Sequence, residues 1–337
     1  MTAAVPYDAL EIAAAVRSGA ITALAVTETV LAAIARVDPQ IGCFTAMTRE
    51  RAVTEARAVD ARRAAGHALP PLAGVPYAVK NLFDVEGLPT LAGSSINASH
   101  PPAAADATLV ARMREAGAIL VGTLNMDEYA YGFTSENTHH GVTRNPHDPA
   151  CVAGGSSGGS GAAVSARLVP LALGSDTNGS IRVPSSLCGV WGLKPTYGRL
   201  SRRGSFPFAA SLDHVGPFAA TLPDLAACYD VLQGADPGDP ASAQRPLEPV
   251  RHVREQGASG LRIARLGGYF DQYLTPAAKV AVDSACTALS VTRTVELPAA
   301  ALGRAAAFVI TASEGGALHM ENGHIRDQSR HQHQRCP

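Results

Sequence analysis

The sequence lacks the paired cysteines that mark zinc sites and disulfide frameworks. Its 337 residues include six cysteines, none of them in a CxxC pair, at positions Cys43, Cys151, Cys188, Cys228, Cys286 and Cys336. Disulfide-rich domains and structural zinc sites both depend on cysteines at close, regular spacings. The scattered cysteines therefore predict neither a disulfide framework nor a zinc site, and they favour a reducing cytoplasm.

The sequence also lacks an excess of charge of one sign. Its 28 Lys and Arg residues balance 29 Asp and Glu residues, which gives a formal net charge of -1. Because nucleic acids are bound largely through their phosphates, a domain that binds them usually carries a basic face. The balance argues against direct nucleic-acid binding and favours a small neutral or acidic ligand.

Long hydrophobic runs and linkers are missing too. No window reaches the roughly 18 continuous apolar residues of a membrane span, and the start, MTAAVPYDALEIAAAV, has no basic segment ahead of an apolar core. Neither export nor membrane insertion is expected. No Pro/Gly/Ser-rich linker or charge block divides the first 230 residues, and 46% of the chain is hydrophobic. These features predict a globular chain with one large domain.

Hydrophobic periodicity predicts helices in the first part of the chain. Asp8 with Glu11 resembles a capping box at the start of a first helix. Thr22 is suited to cap a second helix, which Pro39 is expected to end. Residues 48–65, rich in Ala, Arg and Glu, predict a third helix. The first part of the chain is therefore expected to be helical.

The pattern changes after residue 71, where short apolar runs alternate with helical stretches. The runs cover residues 75–79, 118–121 and 168–173. Alternating strands and helices are typical of a sheet that is covered by helices on both faces. The predicted fold class is therefore α/β.

Two loops rich in Gly and Ser are the most informative part of the sequence. The first, residues 154–159, has few side chains to block a ligand, and glycine permits backbone angles that other residues resist. The second, residues 176–180, places Ser180 on a strand-to-helix turn ahead of Pro184, a residue suited to a first helical turn. Main-chain N–H groups in such a turn can face the same space as the hydroxyl, as the oxyanion of an acyl transfer requires. Ser180 is therefore a candidate nucleophile.

A serine nucleophile needs a base, and Lys80 is the best candidate. It ends the run GVPYAVK, whose apolar character predicts burial. Burial disfavours the charged ammonium and lowers the lysine pKa, so a neutral Lys80 can accept a proton. A solvated surface charge is the alternative interpretation of this lysine taken by itself.

A second serine offers another assignment of the nucleophile. Residues 155–159 also fit the GxSxG pattern, in which Ser157 would attack with Asp213 and His214 as its partners. The run HDPACVAGG before this pattern does not resemble the strand that such a turn requires. The assignment stays open beside that of Ser180.

Histidines raise the question of a metal site. His139 and His140 are interpreted as loop residues, because nothing near them in the sequence completes a set of ligands. The end of the chain offers a weaker candidate in His324, His331 and His333. No metal is expected.

Three motifs in order, GVPYAVKN, AGGSSGGSG and DTNGSIRVPSS, resemble the amidase signature family. The resemblance runs from about residue 7 to about residue 318, and the three motifs together are far more specific than any one alone. It implies a mixed β-sheet sandwiched between α-helices, and amide hydrolysis without a metal or organic cofactor. It also implies that Ser180 attacks the carbonyl, that Ser156, after a cis peptide bond from Gly155, relays the proton, and that Lys80 is the terminal base.

The resemblance assigns further residues around the nucleophile. Main-chain N–H groups are expected to hold the oxyanion, and their residues are Thr177, Asn178, Gly179 and Ser180. Supporting positions are Gly155, Ser157, Asp176 and Arg182. Of these, Asp176 and Arg182 are expected to brace the loop by hydrogen bonds rather than to touch the substrate.

Two groups within the family give a more specific expectation. Residues 193–219 resemble one subunit of the glutamyl-tRNA amidotransferase, the subunit that releases ammonia from glutamine. Asn178 stands where most relatives carry a second glycine, and together with KNLFDVEGLPTLAGS it resembles the carboxybiuret hydrolases of s-triazine degradation. The second resemblance is preferred. It implies a small amide substrate and, as in both groups, a small helical partner protein in a hetero-oligomer.

The predicted domain plan follows the same resemblance. Residues 1–319 form an amidase signature domain, with N-terminal helices at 1–66, a catalytic core at 67–235 and the start of a C-terminal part at 236–319. Residues 320–337 lack apolar periodicity and are rich in His, Gln and Arg, so they are interpreted as an atypical tail. Because family members usually continue beyond this point, C-terminal strands are expected to be missing. An inactive homologue is therefore a further hypothesis.

Overall fold

The computed structural model describes residues 5–321, which fall into two compact units, one ending at Arg251 and the other beginning at His252. The elements of the first unit are α1 (Ala9–Ser18), α2 (Ala23–Ile41), β1 (Phe44–Met47), α3 (Arg49–Ala64), β2 (Pro76–Lys80), α4 (Thr108–Glu115), β3 (Ile119–Leu124), β4 (Glu136–Asn137), β5 (Gly141–Val142), α5 (Gly158–Ser165), β6 (Leu171–Asp176), α6 (Arg182–Cys188), β7 (Trp191–Gly192), β8 (His214–Ala219) and α7 (Leu222–Leu232). Helix α8 (Arg251–Arg254) spans the division. The domain boundaries predicted from the sequence stay predictions.

The first unit contains a six-stranded mixed sheet in the order β1-β3-β2-β6-β8-β7. Strand β2 lies in its centre and pairs in parallel with both β3 and β6. Strands β1, β8 and β7 pair antiparallel with their neighbours. Because β3, β2 and β6 are parallel, their carboxyl ends meet at one edge of the sheet.

The centre of the sheet is covered on both faces. Every residue of β2, β3 and β6 is buried. Side chains alternate between the two faces of a strand, so complete burial requires cover on each face. Helix α5 packs against β2, β6 and β8, while α3 packs against β3. A mixed sheet between helices confirms the α/β fold class expected from the sequence.

The N-terminal helices form where the sequence predicts them, but the capping of α1 was predicted wrongly. Asp8 stands at the N-cap position of α1 and makes no hydrogen bond through its side chain to the helix. The carboxylate of Asp224, in α7, instead accepts hydrogen bonds from the N–H groups of Ala9 and Leu10, each at 3.0 Å. A buried carboxylate from a distant helix therefore replaces the local capping box.

Helix α2 begins as predicted and ends later than predicted. The Thr22 hydroxyl accepts a hydrogen bond from Ala25 N–H at 3.1 Å, as expected of an N-cap. Pro39 lies inside the helix, which continues to Ile41 and ends at Gly42 in the left-handed region. The Asp38 carboxylate accepts hydrogen bonds from the N–H groups of Cys43 and Phe44 just beyond that end. The helix therefore ends at Gly42 and not at the proline.

The second unit contains β9 (Arg265–Leu266), α9 (Pro276–Ala288), β10 (Thr294–Val295) and α10 (Ala300–Glu321). Strands β9 and β10 pair in parallel as a two-stranded sheet. Helix α10 exposes several large apolar side chains, among them Leu302 and Val309. In the described part of the chain, no helix combines the length and apolar character needed to cross a bilayer. No disulfide joins the cysteines of residues 5–321.

Candidate active site

The sequence-predicted residues Lys80, Ser156 and Ser180 lie where the three parallel strands end. Lys80 is the last residue of β2, and Ser180 lies four residues beyond the end of β6. Ser156 precedes α5, which packs against both strands. The carboxyl ends of parallel strands are a common position for ligand sites in α/β sheets, because loops from neighbouring strands converge there.

Lys80 is fully buried and bonded to two serine hydroxyls. Its Nζ lies 2.7 Å from Ser156 Oγ and 2.9 Å from Ser175 Oγ. Burial lowers the pKa of Lys80 to about 7, against the opposing effect of the nearby carboxylates of Asp127, Asp176 and Asp213. A substantial fraction of Lys80 is therefore neutral near pH 7 and able to accept a proton.

The Gly155–Ser156 peptide bond is cis, the conformation that the family resemblance implies. Ser156 is fully buried, and its hydroxyl faces Lys80 Nζ. Gly155 lies so close to the segment before β4 that a Cβ there would meet Thr134 N at 2.7 Å. Only glycine therefore fits at position 155.

The turn that carries Ser180 is held by one carboxylate. Asp176 Oδ2 accepts hydrogen bonds from Ile181 N–H at 3.1 Å and from Arg182 Nε at 3.0 Å, and Oδ1 accepts one from the other end of the Arg182 guanidinium at 2.8 Å. Burial acts to raise the pKa of Asp176, but the hydrogen bonds and charge of Arg182 hold it below its ordinary value. The Asp176 carboxylate thus joins the two ends of the turn formed by residues 177–180.

Within this turn, main-chain N–H groups remain unused. In residues 5–321, the N–H groups of Asn178, Gly179 and Ser180 donate no hydrogen bond to another residue. Gly179 has a φ of 146°, which L side chains rarely adopt. Ser180 itself is 4% exposed, and no hydrogen bond links its hydroxyl to another described residue. The turn therefore brings a hydroxyl together with donors that can receive negative charge.

Ser157, the other candidate nucleophile from the sequence, forms hydrogen bonds to the main chain. Ser157 Oγ donates to the Ser175 carbonyl at 3.1 Å and accepts from Ser175 N–H at 3.3 Å. Asp213 accepts hydrogen bonds from the Thr177 hydroxyl and from two main-chain N–H groups. His214 Nδ1 contacts the carbonyls of Leu212 and Asp176. In the described chain, no hydrogen bonds connect these three side chains into a relay.

Two residues that act on Lys80 were not predicted from the sequence, Ser175 by a hydrogen bond and Asp127 by its charge. Ser175 is the hydroxyl residue of β6 that points at the lysine, and Asp127 follows the end of β3. The signal for Ser175 was a hydroxyl just after the apolar run of β6. The signal for Asp127 was a carboxylate three residues beyond a strand next to the one that ends in Lys80.

Metal ligands do not gather in the described part of the chain. No group of three His, Cys, Asp or Glu side chains there could hold a metal ion. His139 contacts Glu128, with Nε2 and Oε1 3.1 Å apart, in the loop before β5. His324, His331 and His333 lie outside the described residues.

Comparison with known proteins identifies relatives. The family model described as Amidase matches residues 25–331. The chain is 60% identical over 319 residues to AtzE, the 1-carboxybiuret hydrolase subunit of Pseudomonas sp. (strain ADP), covering 95% of this chain and 70% of that protein. It is 45% identical over 275 residues to a glutamyl-tRNA(Gln) amidotransferase subunit of Chloroflexus aggregans (strain MD-66 / DSM 9485), covering 82% of this chain and 56% of that protein.

A solved structure agrees in fold. It is described as a vestigial protein complex that reveals the evolutionary origins of an s-triazine catabolic enzyme. It superimposes with a TM-score of 0.93 at 59% identity, covering 95% of this chain and 70% of that one. Because a family model matches most of the chain and close relatives share its sequence and fold, the chain belongs to the amidase signature family, whose members hydrolyse the C–N bonds of amides.

Proposed function

We propose that this chain hydrolyses a small linear amide and releases ammonia, with Ser180 as nucleophile, Ser156 as bridging serine and Lys80 as terminal base. The observation that carries the proposal is the buried hydrogen bond of 2.7 Å between Lys80 Nζ and Ser156 Oγ. A lysine pKa of about 7 matches a base that works near neutral pH. Ser180 stands on the adjacent turn, beside donors for the oxyanion.

In the proposed first step, Ser180 Oγ forms a bond to the carbonyl carbon of the amide. Its proton passes to Ser156 Oγ, and the Ser156 proton passes to Lys80 Nζ. The N–H groups of the turn, from Thr177 to Ser180, stabilise the tetrahedral oxyanion, and losing one such donor costs about 3 kcal/mol of activation free energy. The C–N bond then breaks, and the proton returns through the relay to the nitrogen that leaves as ammonia.

In the second step, water attacks the acyl-enzyme ester. The relay takes one proton from the water, and the same turn holds the new oxyanion. Ser180 Oγ leaves as the ester bond breaks and regains its proton, so the product is a carboxylate. Asp176 and Arg182 support both steps because they hold the turn between them.

The proposed substrate is 1-carboxybiuret, which would lose ammonia to give urea dicarboxylate. The support is the 60% identity to a 1-carboxybiuret hydrolase subunit. Glutamine is the second candidate, supported by the 45% identity to an amidotransferase subunit. The rates of ammonia release from the two compounds separate these candidates, and a faster rate with glutamine would reverse the preference.

The proposed partner is a small helical protein in a hetero-oligomer. Its support is the similar chain solved as part of a protein complex. Native mass spectrometry of the protein purified from its source would reveal a second, smaller chain. Masses that are multiples of this chain alone would contradict the proposal.

A fluorophosphonate tests the nucleophile without a choice of substrate. Ser180 Oγ should form a bond to phosphorus as fluoride leaves, and intact mass spectrometry should detect one adduct. The Ser180→Ala variant should lose the adduct, while Ser284→Ala, in exposed α9, should keep it. An adduct that survives in Ser180→Ala would move the nucleophile elsewhere, with Ser157 tested next. No adduct in folded wild-type protein would favour an inactive homologue.

A further inference from the structure

Asp127 is a buried carboxylate with an unexplained oxygen. It follows β3, and 6% of its surface is exposed. Oδ1 accepts a hydrogen bond from Ser135 N–H at 3.0 Å, but Oδ2 is buried without a hydrogen-bond partner in the described chain. Burying a carboxylate oxygen without a hydrogen bond lowers the stability of the fold, so a functional reason for the position of Asp127 is expected.

The same residue contacts the proposed relay directly. Asp127 N–H donates a hydrogen bond to the Ser156 carbonyl at 3.3 Å. A Cβ on Gly155 would stand 2.0 Å from Asp127 Oδ2. The carboxylate is therefore pressed against the Gly155–Ser156 peptide, at a distance that only glycine permits.

The charge of Asp127 also acts on the base. Three carboxylates favour the charged form of Lys80, and Asp127 acts most strongly, ahead of Asp176 and Asp213. Asp176 already forms an ion pair with Arg182. Asp127 is therefore the carboxylate that contributes most to the balance of charge around the lysine.

The surroundings of Asp127 contain few other charges. Burial raises the pKa of Asp127, while the nearby main-chain N–H groups of Ser135 and Thr134 and the charge of Lys80 lower it. The charge of Glu136 acts to raise the pKa of Asp127. Within the described residues, Lys80 is the cation that acts on this carboxylate, so the two groups balance each other.

We propose that Asp127 is a positioning residue of the relay: its main chain holds Ser156, and its carboxylate provides the countercharge when the proton from Ser180 reaches Lys80. This inference rests on the proposed function. The proton passes from Ser180 to Ser156 and from Ser156 to Lys80, and Asp127 stays ionised throughout. Without the countercharge, an ammonium would form in a buried place with weaker compensation, and Lys80 would be the poorer proton acceptor.

Asp127 has a second, separable effect through its loop. Its bond to Ser135 closes residues 127–135, and that loop carries Phe133, whose ring lies near Gly179. Asparagine keeps an acceptor for Ser135 N–H and removes only the charge. Alanine removes both, so the pair of variants distinguishes the charge from the loop contact.

The test measures the rate of fluorophosphonate labelling against pH in wild type, Asp127→Asn and Asp127→Ala. Labelling needs neutral Lys80, so the wild-type rate should rise with pH around 7. Because loss of a nearby anion lowers the pKa of Lys80, both variants should shift this midpoint to lower pH by about one unit. The alanine variant should also label more slowly than the asparagine variant at every pH.

The matched control is Asp84→Asn. Asp84 is half-buried and accepts a hydrogen bond from Thr90, but it is not among the charges that act on Lys80. The pH midpoint of labelling in Asp84→Asn should equal that of the wild type. If either Asp127 variant folds and keeps the wild-type midpoint, the inference is overturned while the proposed function stands. If Ser180 of the wild type is not labelled, the proposed function itself fails.

Discussion

At the scale of single residues, burial decides the protonation of Lys80. A lysine in water holds its proton to a pKa of 10.5, whereas this one, fully buried at the end of β2, has a pKa of about 7. Two serine hydroxyls and nearby carboxylates offset part of the desolvation of the ammonium. Burial of Lys80 therefore lowers the stability of the fold, but it leaves the amine able to accept a proton near pH 7.

This shift has a consequence for stability. Between pH 7 and 10.5 the unfolded chain holds a proton on Lys80 that the folded chain has lost, so the free energy of unfolding rises with pH. From pH 7 to 8.5 this contribution should amount to about 1 to 2 kcal/mol. The Lys80→Met variant should lack it and should also lose fluorophosphonate labelling. Urea unfolding of both proteins at the two pH values measures the difference, and an equal rise in both would contradict the burial of a titrating lysine.

At the scale of elements, carboxylates from distant helices secure the N-termini of the first two helices. Asp224 of α7 accepts two main-chain hydrogen bonds from α1. Asp60 of α3 accepts two from Ala23 and Leu24 of α2, in addition to the local cap by Thr22. These contacts join helix ends to other helices and satisfy N–H groups that would otherwise be buried unpaired.

The capping of α1 can be tested by two matched variants. Asp224→Asn replaces one acceptor oxygen with an amide that cannot accept from the helix, so it should lower the free energy of unfolding by about 1 to 3 kcal/mol. Asp8→Asn should change it by less than about 0.5 kcal/mol, because its side chain makes no capping bond. Urea denaturation of both variants measures this. If Asp8→Asn lowered the free energy of unfolding more than Asp224→Asn does, the local capping box predicted from the sequence would be supported instead.

At the scale of the whole molecule, all residues of the proposed relay lie in the unit that ends at Arg251. Residues 243–250 have no regular structure, and residues 255–260 are exposed turns. Proteases cut exposed, irregular segments more readily than packed elements. Residues 243–250 and 255–260 are therefore exposed, irregular backbone that a protease can reach.

Limited trypsin digestion should cut first between Arg245 and Arg262. The expected result is an N-terminal fragment that ends in this range and resists further digestion, identified by its mass. Residues 153–188, which contain the trypsin sites Arg167 and Arg182, should stay intact, because most of this segment forms α5, β6 and α6. A first cut at either arginine would mean that the candidate site is far less ordered than its hydrogen bonds indicate.

The sequence by itself determined the local features of this protein. Gly and Ser at residues 154–159 and 176–180 require turns, and the apolar run that ends in Lys80 requires a buried strand, because these depend on backbone freedom and hydrophobicity along a short stretch. Only the tertiary structure decided which side chains meet. Ser175 bonds to Lys80, the charge of Asp127 acts on Lys80, and Asp224 caps α1, because strand order and helix packing bring together residues that are far apart in the chain.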